Sequence, residues 1–127
     1  MNLIDTDIAD IAVAVQTYLD GLYEGDADKL ASVFLPTSAL TQSLDGVLKI
    51  TPRDEWLSTV RNRPAPKAAG QTRHDQVLTI DRISDTLAYV KLKCAIPPRF
   101  FTDILSFVKL GGEWKIAQKV FTTDVRE

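Results

Sequence analysis

The chain has 127 residues and a mass of 14.1 kDa, enough for one ordinary domain. With 45% apolar and 25% charged residues, it is neither a disordered tail nor a fibre, and no apolar run reaches the roughly 20 residues that a membrane helix needs. Its net charge of −2 gives no overall basic field for nucleic acid.

The charge is unevenly spread. Residues 1–30 carry seven acids against Lys29, whereas residues 87–127 carry seven bases against four acids. The plain reading is a solvated acidic helix face set apart from a basic sheet face. The sharper reading is a site for an acidic ligand on the basic half. One cysteine (Cys94) and one histidine (His74) support neither an internal disulfide nor a metal site built on those residues. The acidic start, with Asp5 and Asp7, lacks the basic region of a signal peptide. These features predict a cytoplasmic chain forming one domain over residues 1–127.

In chain order, Ile4, Ile8, Ile11, Val15, Tyr18 or Leu19, and Leu22 recur at spacings of three and four. They predict one amphipathic helix, with Asp5, Asp7 and Asp10 complementing its positive end. Gly25 is the expected left-handed stop, and Asp26 the N-cap of a short second helix through Phe34. Residues 38–50 predict a hairpin about Asp45-Gly46. Thr51-Pro52-Arg53-Asp54 predicts the start of a third helix, with Thr51 as cap and Trp56, Leu57 and Val60 as its apolar stripe.

Four long strands follow, at about 73–83, 86–97, 99–110 and 113–123, separated by Ser84-Asp85, Pro97-Pro98 and Gly111-Gly112. The alternation of Ala88, Val90, Leu92, Cys94 and Ile96 with Tyr89, Lys91 and Lys93 predicts an antiparallel strand with one face on a core. The expected fold is α+β in the order α-α-β-β-α-β-β-β-β. Three helices pack in the concavity of a strongly curled, mostly antiparallel sheet, which forms a cone with an apolar pocket at its open end.

Gln16-Thr17-Tyr18-Leu19-Asp20-Gly21-Leu22-Tyr23-Glu24-Gly25-Asp26 and Leu30-Ala31-Ser32-Val33-Phe34 resemble the opening of the nuclear-transport-factor-2-like superfamily, which has a cystatin-like fold. The ending, Asp103 to Lys109 and then Gly111-Gly112-Glu113-Trp114-Lys115-Ile116 on to Phe121, is similar to its lumazine-binding branch. The outer sheet face that no helix covers, with Tyr89, Lys91, Lys93 and whichever of Phe100 or Phe101 points outward, predicts pairing of two copies, and the resemblance supports it. The resemblance implies a small-molecule pocket and a flat pteridine-like heterocycle as ligand. It also offers a test against ketosteroid isomerase, a member of the superfamily. Aligning Gly25-Asp26 and Phe34 puts Tyr18 at that enzyme's oxyanion tyrosine and Gln42 at its aspartate base. An amide is no base near neutral pH, so this activity is not expected.

The expected pocket residues are Tyr18, Gln42, Trp56, Asp103, Phe107, Lys119 and Phe121. Tyr18 lies on the buried stripe of the first helix, and its hydroxyl needs a partner. Gln42 shares its strand face with Leu40 and Leu44, so its amide needs a ligand, a water or Tyr18. Asp103 and Lys119 lie on neighbouring strands and are expected to pair. Phe107, Phe121 and Trp56 can stack on a flat ring. Lys109 is expected in solvent, Trp114 beneath the last turn, and Cys94 as a small buried apolar residue.

Three functions are consistent with these residues. The first is a pocket protein that binds a flat heterocyclic or other small apolar metabolite. The second is an isomerase, hydratase or cyclase using Tyr18 as acid and Asp103 or His74 as base. The third is an oligomeric scaffold with a filled interior. No cofactor and no metal are expected, and the partners are a small ligand and a second copy of the chain, with neither nucleic acid nor membrane.

Overall fold

The computed structural model describes residues 2–127. Helix α1 spans Leu3–Glu24 and α2 Ala27–Val33, followed by strands β1 (Ala39–Leu44) and β2 (Val47–Pro52). Helix α3 spans Arg53–Asn62, and β3 (Gln76–Arg82), β4 (Leu87–Ile96), β5 (Arg99–Leu110) and β6 (Glu113–Val125) complete the chain. This is the predicted element order.

The caps explain the first junction. Gly25 adopts φ 66°, a left-handed conformation that favours glycine, and its N–H donates to the Gly21 and Leu22 carbonyls. The Asp26 carboxylate then accepts from the Asp28 and Lys29 backbone N–H groups and starts α2. A Cβ at Gly21 would come within 2.9 Å of the Leu30 side chain, so glycine there lets the two helices approach closely.

Two local expectations fail. Ile4 and Ile8 are exposed, and the buried stripe of α1 begins instead at Asp7 and Ile11. Thr51 and Pro52 complete β2, and Pro52 precedes α3 with no side-chain cap. The hairpin pairing Leu40 with Thr51 holds those two residues extended.

The six strands form one mixed sheet in the order β2-β1-β6-β5-β4-β3. All its pairings are antiparallel except β1 with β6, where Leu40 pairs with Lys119. The sheet is open, with edges at β2 and β3, and is less curled than expected. Its helix-covered inner face carries Ala88, Val90, Leu92, Leu105, Phe107 and Ile116, all fully buried, while Lys91 and Lys93 face outward. Burial of this face against Ile11, Val15, Leu30, Phe34 and Leu57 supplies the apolar driving force for the fold.

One irregularity sets the lining of the sheet. In the β5–β6 ladder, Ser106 pairs with Gln118 but Phe107 pairs with Ile116, which leaves Ala117 without a partner. The extra residue is a bulge that shifts the side-chain alternation by one. Trp114 and Ile116 therefore face inward on one side of it, and Lys119 and Phe121 on the other.

Candidate functional site

Strands β4, β5 and β6 each bring a side chain to one region of the inner face. Asp103 in β5 is fully buried, and its cross-strand partners are Leu92 and Phe121. Lys119 in β6, also buried, pairs with Leu105 and Leu40. From α1, the Tyr18 hydroxyl donates to Asp103 Oδ2 at 2.5 Å. The Cys94 thiol lies 3.6 Å from the same oxygen, and Lys119 Nζ 3.8 Å from it. The other carboxylate oxygen, Asp103 Oδ1, is buried with no hydrogen-bond partner.

The Lys119 ammonium is ringed by aromatic side chains. It lies 4.7 Å from the Phe121 ring centre, 5.2 Å from Trp56 and 5.3 Å from Tyr18. Such faces attract a cation and partly compensate its loss of water. Phe34 supports the group from below, with its ring 5.7 Å from Tyr18 and 5.1 Å from Trp56. Burial, reinforced by the Asp103 carboxylate, raises the Tyr18 pKa well above the usual phenol value. Burial likewise pushes the Cys94 thiol up, so it is not a ready nucleophile.

Five of the expected pocket residues (Tyr18, Trp56, Asp103, Lys119 and Phe121) thus form one cluster. Gln42 lies beside it on the inner face of β1, but its partner is Thr123, whose hydroxyl donates to Gln42 Oε1 at 3.1 Å, and not Tyr18. Phe107 is fully buried between Ala88 and Ile116, on the far side of the bulge from Lys119. It belongs to the closed core.

His74 is exposed outside the cluster, with its ring 5.2 Å from Phe100, so it cannot serve as the interior base. Both residues border a cleft of about 460 Å³ across the ends of β3, β4, β5 and β6, with Lys93, Cys94, Phe101 and Arg126. Neither Tyr18 nor Asp103 lines this cleft.

A second polar centre was missed by the sequence reading. Asp7 is buried and accepts from Arg82 Nε at 2.8 Å, from Lys109 Nζ at 3.0 Å and from Trp114 Nε1 at 3.0 Å. The Arg82 and Trp114 hydrogen bonds lower its pKa to about 2. Lys109 is therefore ion-paired instead of free in solvent, and Trp114 anchors α1 to β6. The available signal was an aspartate on the apolar stripe of α1, four residues before Ile11.

The family model described as "Putative lumazine-binding" matches residues 6–122. The chain belongs to this family. No curated protein matches it. Among solved structures, an NTF-2 like protein of unknown function from Silicibacter pomeroyi superposes with a TM-score of 0.85 at 19% identity, over 98% of this chain and 100% of that one. A ketosteroid isomerase-like protein from Erwinia carotovora atroseptica gives 0.70 at 13%, covering 93% and 96% of the two chains. A protein titled putative scytalone dehydratase, from Novosphingobium aromaticivorans, gives 0.68 at 18%, covering 97% and 87%. A cystatin-like fold protein from Burkholderia xenovorans is also similar, and together these likenesses fix the fold.

Proposed function

We propose that this lumazine-binding-family protein holds a small, flat, partly polar molecule on the inner face of its sheet, with Tyr18, Asp103 and Lys119 as the polar floor. The observation that carries the reading is Asp103 Oδ1, a buried acceptor with no partner, beside an oxygen already used by Tyr18. An unpaired buried acceptor is costly, and a ligand N–H or O–H would remove that cost. Trp56 and Phe121 supply faces for stacking, and Gln42 supplies an amide at the edge. A pteridine-like heterocycle, with ring N–H and carbonyl groups in one plane, meets these requirements.

A second reading draws on the short Tyr18–Asp103 contact: an isomerase, hydratase or cyclase in which Tyr18 donates a proton and Asp103 receives one. The raised pKa makes Tyr18 a better hydrogen-bond donor than proton donor, so binding is the preferred role.

The outer face fits pairing with a second copy. Ile50, Val120 and Ile104 align across β2, β6 and β5 with Thr41 between the first two, and are 59%, 49% and 37% exposed. No helix of the described residues is long and apolar enough to cross a membrane, and we read the protein as cytoplasmic because its cysteine is unpaired.

Native mass spectrometry of the purified protein, followed by titration with lumazine (monitored by tryptophan fluorescence), tests the binding reading. A co-purifying small molecule, or saturable quenching that Asp103→Asn weakens, is expected. A bare chain that no flat heterocycle perturbs would overturn it.

A further inference from the structure

The inner face becomes more exposed toward one end. Along β5 it runs from buried Asp103 through half-buried Phe101 to exposed Arg99, and along β6 from buried Lys119 to half-buried Phe121 and Thr123. Along β1 it runs from buried Leu40 through half-buried Gln42 to exposed Leu44, and exposed Lys49 pairs with Gln42 on the same face. This end of the face is open. Helix α3 starts at the opposite end of β2, and its C-cap, Arg63, lies near enough to Arg99 to feel its charge.

Three cations therefore stand at the opening: Lys49, Arg63 and Arg99. Among the described residues, none of the three makes a side-chain hydrogen bond or an ion pair. The other arginines do: Arg53, Arg61, Arg73, Arg82 and Arg126 each face a carboxylate. Below the opening lies Lys119. Against these four cations, the sheet's inner face sets one carboxylate, Asp103, already shared by Lys119 and Tyr18. Burial works against the charge on Arg63, and the neighbouring Arg99 adds to that effect. Among the described residues no carboxylate pairs with Lys49, Arg63 or Arg99, so an anion arriving from solvent would meet unpaired cations.

From this imbalance we infer that the ligand is an organic acid: a flat ring system carrying a carboxylate, with the ring against Phe121 and Trp56 and the carboxylate held at the opening by Arg63 and Arg99. The arrangement gives the basic C-terminal half a role that the acidic helices cannot supply. A ring N–H or O–H at the other end of the same molecule reaches Asp103 Oδ1. Guanidinium groups suit a planar carboxylate, with two parallel donors for two oxygens. The inference rests on the binding reading above and adds the charge of the ligand to it.

Lumazine and its 6-carboxylate differ by the carboxylate group alone, and they make the test. Titrations of both are followed by tryptophan fluorescence at mildly acidic pH, where the parent ring is neutral. The carboxylate should bind at least about tenfold more tightly, the scale of one charge-assisted contact. The gain should shrink with added salt. The double variant Arg63→Met/Arg99→Met should lose the gain while leaving lumazine affinity unchanged, which separates a charge effect from a damaged fold. Equal affinity for the two compounds would overturn the inference and leave the binding reading standing. If neither compound binds, and 4-hydroxybenzoate also leaves the spectrum unmoved, both readings fail.

Discussion

The Tyr18 hydroxyl and Asp103 Oδ2 lie 2.5 Å apart although 85 positions separate them in the chain. The contact ties α1 to the centre of the sheet, beside the buried Lys119 ammonium. It also fixes which oxygen of Asp103 is occupied and which is left for a ligand.

Removing the phenol oxygen tests this tie. Tyr18→Phe preserves the ring contacts with Phe34 and Lys119 but withdraws a donor from a buried carboxylate. Urea denaturation should show a loss of about 1–3 kcal/mol, as expected when a buried acceptor loses its partner. Because the Tyr18 pKa is raised on folding, the neutral phenol stabilises the native state. That contribution is complete below pH 10 and is lost as the pH rises above it. The wild type should thus weaken in strong alkali, and the phenylalanine variant should weaken less over the same range.

Acid should act on the other polar centre. Folding lowers the Asp7 pKa from 3.8 to about 2, so its contribution is present above pH 4 and fades as the pH falls through that interval. Asp7→Asn would leave Arg82, Lys109 and Trp114 around a neutral amide. Its Tm should fall by several degrees at neutral pH, with a flatter acid limb than the wild type. An unchanged acid limb would show that Asp7 does not anchor α1.

Steroid isomerisation provides a negative prediction. Gln42 is held by Thr123 and has no basic atom, so the unmodified protein should not convert a steroid enone. Gln42→Asp would place a carboxylate at a half-buried position, where loss of water raises its pKa. Robust isomerisation by the wild type, followed spectrophotometrically, would refute the assignment of Gln42.

The association prediction concerns the outer face. Light scattering at micromolar concentration should report roughly twice the 14.1 kDa chain mass. Val120→Glu, between Ile50 and Ile104 in the exposed row, should shift the population toward monomer without changing the melting of the monomer itself. A wild type that stays monomeric would leave Ile50, Val120 and Ile104 as ordinary surface residues.

Legibility in the sequence followed the range of the interactions. Gly25 and Asp26 were readable because a left-handed stop and an N-cap are satisfied within a few residues. The alternation in β4 was readable because each side chain's orientation follows from its neighbours. Thr51 misled because its β1 partner, Leu40, outweighed its local tendency to cap. Asp7 misled for a related reason. Its place near the start of α1 fits a surface carboxylate, and only the fold brings in Arg82, Lys109 and Trp114. The inward direction of Phe101, now 5.9 Å from Phe121, and the outward one of Phe100, beneath Arg126, also depended on strand register. Within the site, residue types were legible but pairings were not: Gln42 found Thr123, and Tyr18 found Asp103.

The unpaired Ala117 has an evolutionary consequence. Deleting this one residue would make Ile116 and Gln118 neighbours and return β6 to regular alternation, with Trp114, Ile116, Lys119 and Phe121 all still facing inward. Keeping the residue but flattening the bulge would instead slip the rest of the strand by one. Lys119 and Phe121 would then turn toward solvent, and Gln118 and Val120 would take their places. Relatives with and without this single codon can therefore present the same charged, aromatic floor, provided that the longer ones keep the bulge.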